Sequence, residues 1–328
     1  MTTINKVNTK NLSAAEMQEI FSAYKVMVDK YGFLMRHRNP EEYKIDFLVN
    51  FEGGEDELYL IKNEMEICGI LTFEGGYDWA GNMRHELTIK LTQMAVPQSL
   101  TECLRNFIDE KLIQHFQIAI IAYNGELDKL VHEYSYKTQL TGGVYLLPKA
   151  NIDVDLLVEA SAKFQEQNSD LRVKYTTVVP EELIEPFCDL FNELQEDMPD
   201  VGNDGFVQYV ESPEKLRKRM ESFVKGNRTH HCYMIFNTKN EMVAMTNVSV
   251  SNNDPRFPYQ FLIGVTKQYR GKGLGRWLYA LMYRKLYENV NFEAVHVNHH
   301  PQNTHAINIS RWTGYEHAYN ETTYIINK

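Results

Sequence analysis

The chain has 328 residues, 43% hydrophobic and 24% charged, which suits about two globular domains and excludes wholesale disorder. Its 34 basic and 44 acidic residues give a formal charge of −10, which argues against a nucleic-acid binder or a protein of anionic membrane surfaces. Residues 1–169 hold 16 basic and 25 acidic residues, residues 170–328 hold 18 and 19, so an anionic ligand is expected in the second half.

No apolar run of about 18 residues predicts a transmembrane helix. The first ten residues are polar and have no apolar core, so no secretory signal is expected. The four cysteines (Cys68, Cys103, Cys188, Cys232) lie far apart without a C-x-x-C pair. That argues against a disulfide framework or structural zinc, and a reducing cytoplasm fits.

In chain order, Ala14, Met17, Ile20 and Phe21 predict a helix over 13–30, with Ser13 as N-cap and Glu16 completing a capping box. Strands are expected at 58–61, 67–73 and 87–91, a helix at 99–116, a strand at 118–122, a helix at 126–136 and a strand at 143–147. A bridging helix over 151–167 follows. The second half predicts a strand at 175–179, helices at 180–195 and 213–224, and strands at 232–236, 243–250 and 261–265. A helix at 274–287, a strand at 294–297, a helix at 304–313 and a strand at 323–326 complete it. Both halves share one order: helix, hairpin, strand, helix, strand, helix, strand. The expected architecture is α/β (α+β): two tandem domains, each a mixed, mostly antiparallel sheet flanked by helices. The expected boundaries are 1–150, a linker at 151–170, and 171–328.

Residues Gly264 to Arg276 run from an apolar strand through Arg270-Gly271-Lys272-Gly273-Leu274-Gly275 into an amphipathic helix. Alternate glycines let backbone approach a ligand and turn N–H groups inward. A helix N-terminus favours an anion, and Arg270, Lys272 and Arg276 add positive charge there. A pyrophosphate suits this loop. No Ser or Thr follows Lys272, so it is no P-loop, and G-x-G-x-G is not a dinucleotide-binding fingerprint.

This segment resembles the [QR]-x-x-G-x-[GA] signature of the GNAT (N-acetyltransferase) superfamily. Asn298, Asn303 to Ile307 and Thr313-Gly314-Tyr315 are similar to its second motif, and the whole chain looks like the tandem type with a degenerate first copy. The resemblance implies acetyl-CoA as cosubstrate, with Ile263, Gly264 and Val265 along its pantetheine arm. A splay between this strand and the next would admit the arm. The amides of Gly271, Lys272, Gly273, Leu274, Gly275 and Arg276 would hold the pyrophosphate, and Asn303 would reach the pantetheine end. An N–H of Val265 or Thr266 would polarise the thioester. It also implies direct attack of a primary amine on a small acceptor, and the acidic run Glu193, Glu196, Asp197, Asp200 and Asp204 offers recruitment of a cationic one.

The family often carries a tyrosine acid where this chain has Ser310. Tyr315 and Tyr319 are substitutes, and Glu193 or Glu196 is a candidate base. Rival readings are a non-catalytic CoA-binding sensor or scaffold and a protein-lysine acetyltransferase. No metal, nucleic-acid or membrane partner is expected, and the chain is expected to be a monomer or homodimer. His299-His300 and His230-His231 invite a metal reading, but neighbours on a strand point to opposite faces. The segment at 92–98 has neither glycine nor basic residue, so the first domain is expected to lack the loop and to be structural. The Tyr279, Tyr283 and Tyr287 stripe reads as core or interface.

Overall fold

The computed structural model describes residues 2–8, 13, 15–16, 18–20, 22–23, 57–64, 66–77, 83–91, 97–115, 117–122, 125–196 and 210–327. Contacts divide the chain into two units: Met1–Gly142, Gly202–Val207 and Tyr319–Lys328, and then Gly143–Val201 with Gln208–Ala318. The contact division thus falls before the expected boundary at 150. The linker helix belongs to the second unit, and the last residues return to the first.

In the first unit the apolar alternation of Leu58–Ile61 and Ile67–Phe73 builds a hairpin. β2 (Glu57–Asn63) and β3 (Glu66–Tyr77) pair antiparallel after β1 (Thr2–Lys6), and Glu64 at φ 57° makes the turn. β4 (Met83–Leu91), α1 (Gln98–Gln114), β5 (Gln117–Ala122) and α2 (Gly125–Val131) follow. β6 (Tyr136–Pro148) passes into the second unit at Gly143, and β12 (Glu316–Asn327) returns at Tyr319. The sheet order is β1-β2-β3-β4-β5-β12, antiparallel at β5–β12 and parallel at β4–β5.

Leu87, Ile89, Leu104, Ile108, Ile118, Ile120 and Ile326 pack its core. Beside them Lys111, 4% exposed, pairs with the Glu57 carboxylate, which also binds Lys6 and the Tyr59 hydroxyl. The Ser13–Glu16 capping box forms: Ser13 N–H donates to Glu16 Oε2 at 2.8 Å and Glu16 N–H to Ser13 Oγ at 3.2 Å. Much of the expected 13–30 helix lies outside the described residues.

The second unit holds α3 (Val154–Gln167), β7 (Arg172–Thr176), α4 (Ile184–Glu196), α5 (Pro213–Lys225), β8 (Arg228–Phe236), β9 (Met242–Ser251) and β10 (Tyr259–Val265). Then come α6 (Leu274–Asn289), β11 (Ala294–His299) and α7 (Thr304–Thr313). Its sheet order is β6-β11-β10-β9-β8-β7, parallel only at β10–β11. One face carries Val248, Val250, Val295 and Val297 against Tyr279, Tyr283, Leu286 and Ile307 of α6 and α7. The other carries Cys232, Met234 and Phe236 against Phe187, Leu190 and Phe191 of α4 and Leu216 of α5. α3, capped by Asp153 at Leu156 N–H, packs along α6.

Several elements differ from expectation: β1 (Thr2–Lys6) has no expected counterpart, and β3 runs on past 73 to Tyr77. The strand expected at 175–179 lies at Arg172–Thr176, because Arg172↔Phe236 sets its register and Val178 N–H turns back onto Thr176 Oγ1. The helix expected to 136 stops at Val131, and Tyr136 instead opens β6, its ring against His132 and Tyr324. The last strand is longer, Glu316–Asn327.

Candidate functional site

The second unit's parallel pair barely forms. β10 and β11 share a single register pair, Tyr259↔His296, before the strands part. The gap opens into a cleft of about 1120 Å³ lined by Gln260–Val265 on one wall, Val297–His300 on the other, and the Gly271–Arg276 loop and α7 beyond. On β10 the Thr266 N–H donates to Val243 O at 2.9 Å. Antiparallel alternation therefore sends the N–H groups of Ile263 and Val265 to the open edge. Of the two donors expected at this strand end, Thr266 is thus already committed to the sheet.

The loop turns where only glycine is comfortable. Gly271 and Gly273 sit at φ 79° and 80°, in the left-handed region. A Cβ on Gly271 would meet nothing within 4 Å, whereas one on Gly273 would collide with the Phe164 ring of α3. The first backbone bond of α6 is Trp277 N–H to Gly273 O, so the N–H groups just before it have no intrahelical acceptor. Arg270, Lys272 and Arg276 surround them: Arg270 Nε donates to Val265 O at 3.0 Å, the Lys272 ammonium lies 4.5 Å from the Tyr269 ring centre, and Arg276 lies 5.5 Å from that of Trp312. An open-backed turn, unspent amides and three cations fit a pyrophosphate. A cleft bordered by exposed strand backbone fits the arm that such a group would carry.

Asn303 lines the cleft and is also the N-cap of α7, its Oδ1 accepting from Ala306 N–H at 3.2 Å. The catalytic candidates are not brought together. Ser310 is fully buried, its Oγ 2.7 Å from His299 Nε2 and 3.3 Å from the Tyr279 hydroxyl. Tyr315 is core: its hydroxyl pairs with that of Tyr283 at 2.7 Å, and burial raises its pKa well above the ordinary phenol value. Both side chains are buried, Ser310 on α7 and Tyr315 directly after the αL turn at Gly314. Tyr319 falls in the first unit, outside the cleft lining. Glu193 is half-buried on α4 and does not line the cleft, although its neighbour Leu194 does, lying over Gly264. Glu196 is exposed at the end of α4, and Asp197, Asp200 and Asp204 lie outside the described residues.

Of two further lining residues, Gln260 escaped the sequence reading and His299 entered it only as a metal candidate. His299 borders the cleft, and burial lowers its pKa to about 4, so it is neutral near pH 7. Gln260 is 1% exposed and fully hydrogen-bonded. The signal available was polarity inside apolar strands. Among the described residues no group of His, Cys, Asp and Glu is arranged to hold a metal, and no helix is long and apolar enough to cross a membrane.

Comparison with known proteins adds to this geometry. Residues 187–315 match the model of the acetyltransferase (GNAT) family. No curated protein sequence matches the chain. Among solved structures, a tandem GNAT protein from the clavulanic acid biosynthesis pathway superposes with a TM-score of 0.72 at 10% identity, covering 100% of this chain and 98% of that one. A GCN5-related N-acetyltransferase from Sphaerobacter thermophilus gives 0.58 at 12%, covering 99% and 95%. Saccharomyces cerevisiae N-myristoyltransferase, solved with bound myristoyl-CoA, gives 0.56 at 10%, covering 99% and 79%. At these identities the likeness is one of fold. The chain has a tandem GNAT fold, and its second unit carries the segment that the family model matches.

Proposed function

We propose that the second unit binds acetyl-CoA and transfers its acetyl group to the primary amine of a small, cationic molecule. The observation that carries the reading is the Gly271–Arg276 loop at the mouth of the β10–β11 gap: an anion cradle continuous with exposed strand backbone. The loop would hold the pyrophosphate, and the open edge of Ile263 and Val265 would pair with the amide-bearing arm. In the transfer the amine nitrogen bonds to the acetyl carbon, the carbon–sulfur bond breaks, the nitrogen loses a proton and the thiolate gains one. Matching of 187–315 to an acetyltransferase family supports this chemistry.

A non-catalytic CoA-binding role is the second reading. It draws on the burial of Ser310 and Tyr315, whose hydroxyls are already engaged away from the cleft. Titration calorimetry with acetyl-CoA, followed by thiol release across a panel of amines, separates the two. The expected result is binding at one site per chain and release that depends on a cationic amine. Binding without release selects the second reading, and absence of binding overturns both.

A further inference from the structure

The β10 wall begins at a defect. Pairing with β9 runs Tyr259↔Ser249 and Gln260↔Val248, slips at Phe261, and resumes at Leu262↔Asn247. A bulge leaves backbone groups without ladder partners, and buried ones must find others. Side chains supply them here. Asn247 Oδ1 accepts from Leu262 N–H at 3.1 Å. Gln260 Nε2 donates to Leu262 O at 2.6 Å and Asn247 O at 3.0 Å, and lies 3.0 Å from Thr246 Oγ1. The other end of the amide is held too: the Tyr283 hydroxyl donates to Gln260 Oε1 at 2.9 Å. An amide group is planar, so fixing its oxygen aims both of its N–H bonds. One phenol on α6 thereby orients the group that clamps the bulge.

The β11 wall is tied to the same helix. His299 Nε2 pairs with Ser310 Oγ, which lies 3.3 Å from the hydroxyl of Tyr279, one helical turn before Tyr283. The two tyrosine rings lie 4.9 Å apart at their centres, tilted by 60°, and both are fully buried. Past Tyr259↔His296 the walls share no register pair of their own. The helix beneath reaches both walls, through the Tyr283 hydroxyl to Gln260 on one and through Tyr279 and then Ser310 of α7 to His299 on the other.

We propose that Tyr279 and Tyr283 are positioning residues that set the width of the β10–β11 cleft, and so its capacity for the pantetheine arm of an acyl-CoA; this rests on the function proposed above. Without the Tyr283 hydroxyl the Gln260 amide is held through its Nε2 alone, the clamp on the bulge loosens, and β10 can regularise toward β11. The arm loses its seat, while the Gly271–Arg276 cradle beyond the strand end keeps its shape.

The test uses two ligands on the full chain. Acetyl-CoA spans arm and cradle, whereas adenosine 3′,5′-bisphosphate has no arm. Tyr283→Phe keeps the ring and removes only the hydroxyl. Calorimetry should show acetyl-CoA binding weakened about tenfold, the scale of one lost buried hydrogen bond, with bisphosphate binding unchanged. Tyr279→Phe, which acts on the other wall, should give the same split and stands in should Tyr283→Phe not fold. Equal losses for both ligands, or no loss for either, would overturn the positioning role alone. Failure of the wild type to bind either ligand would overturn the acyl-CoA reading, and the positioning role with it.

Discussion

Among the described residues each unit shows one parallel strand pair, and the two pairs end differently. β4 and β5 stay in register over four pairs, His85↔Ile118 to Thr88↔Ile121, four of the six residues of β5. β10 and β11 separate after one pair. The first pair is followed by α1 with Pro97 at its N-cap, and the second by a glycine turn. The same order of elements thus gives a closed sheet in one unit and a cleft in the other. What differs is local: a bulge at Phe261, buried polar residues that stabilise it, and left-handed glycines at the mouth.

The largest effect that would sharpen this contrast is at Gly273. It needs φ 80°, and its missing Cβ is where the Phe164 ring lies. Gly273→Trp should therefore unfold the α3–α6 packing, as seen by loss of the cooperative thermal transition, and is no clean block of the loop. A stable Gly273→Trp variant would show that α3 does not close over this turn.

Acid should separate the units next. Burial lowers His230 to about 3 and His231 and His299 to about 4, from an ordinary value of 6.5. The unfolded chain takes up those protons first, so stability present above pH 6.5 is lost as pH falls toward 4. In the first unit, burial would raise Glu57, but Lys111, Lys6 and Tyr59 together lower it to about 2. Its contribution persists down to about pH 4.5 and fades between there and 2. Fluorescence of Trp277 and Trp312, both in the second unit, in a Trp79→Phe background should report a Tm lower by about 10 °C at pH 5 than at pH 7. A flat Tm over that range would contradict the burial of these imidazoles.

A smaller effect belongs to the closed unit. Glu57→Leu removes the carboxylate beside buried Lys111 and should cost about 3 kcal/mol in chemical denaturation. Acetyl-CoA affinity should not change, since the cradle is in the other unit. A parallel loss of affinity would break the assignment of binding to the second unit.

Much of the second unit was legible in sequence. Helix 304–313 begins and ends as expected because Asn303 caps it and Gly314 at φ 107° stops it. The glycine loop was legible because strand, loop and helix are contiguous. The bulge was not, since it arises from the match of two strands and Phe261 alone carries no sign of it. Ser310 and Tyr315 misled for a related reason. A hydroxyl at family spacing looks the same whether it meets a cleft or a buried tyrosine, and only the helix beneath decides.

The mildest substitution is the most telling about the cradle. Gly271 shares its left-handed φ with Gly273, so Ala at either position bears the same backbone penalty, about 1 kcal/mol. At Gly271 nothing is added to that penalty, because the new methyl would point into open space. Gly271→Ala should therefore lower Tm by only a few degrees, clearly less than Gly273→Ala. The same methyl narrows the approach to the loop amides, so acetyl-CoA affinity should fall by more than the stability does. Equal Tm losses at the two glycines would mean that the loop is packed rather than open, and the contrast with the closed β4–β5 end would then rest on the splayed strands alone.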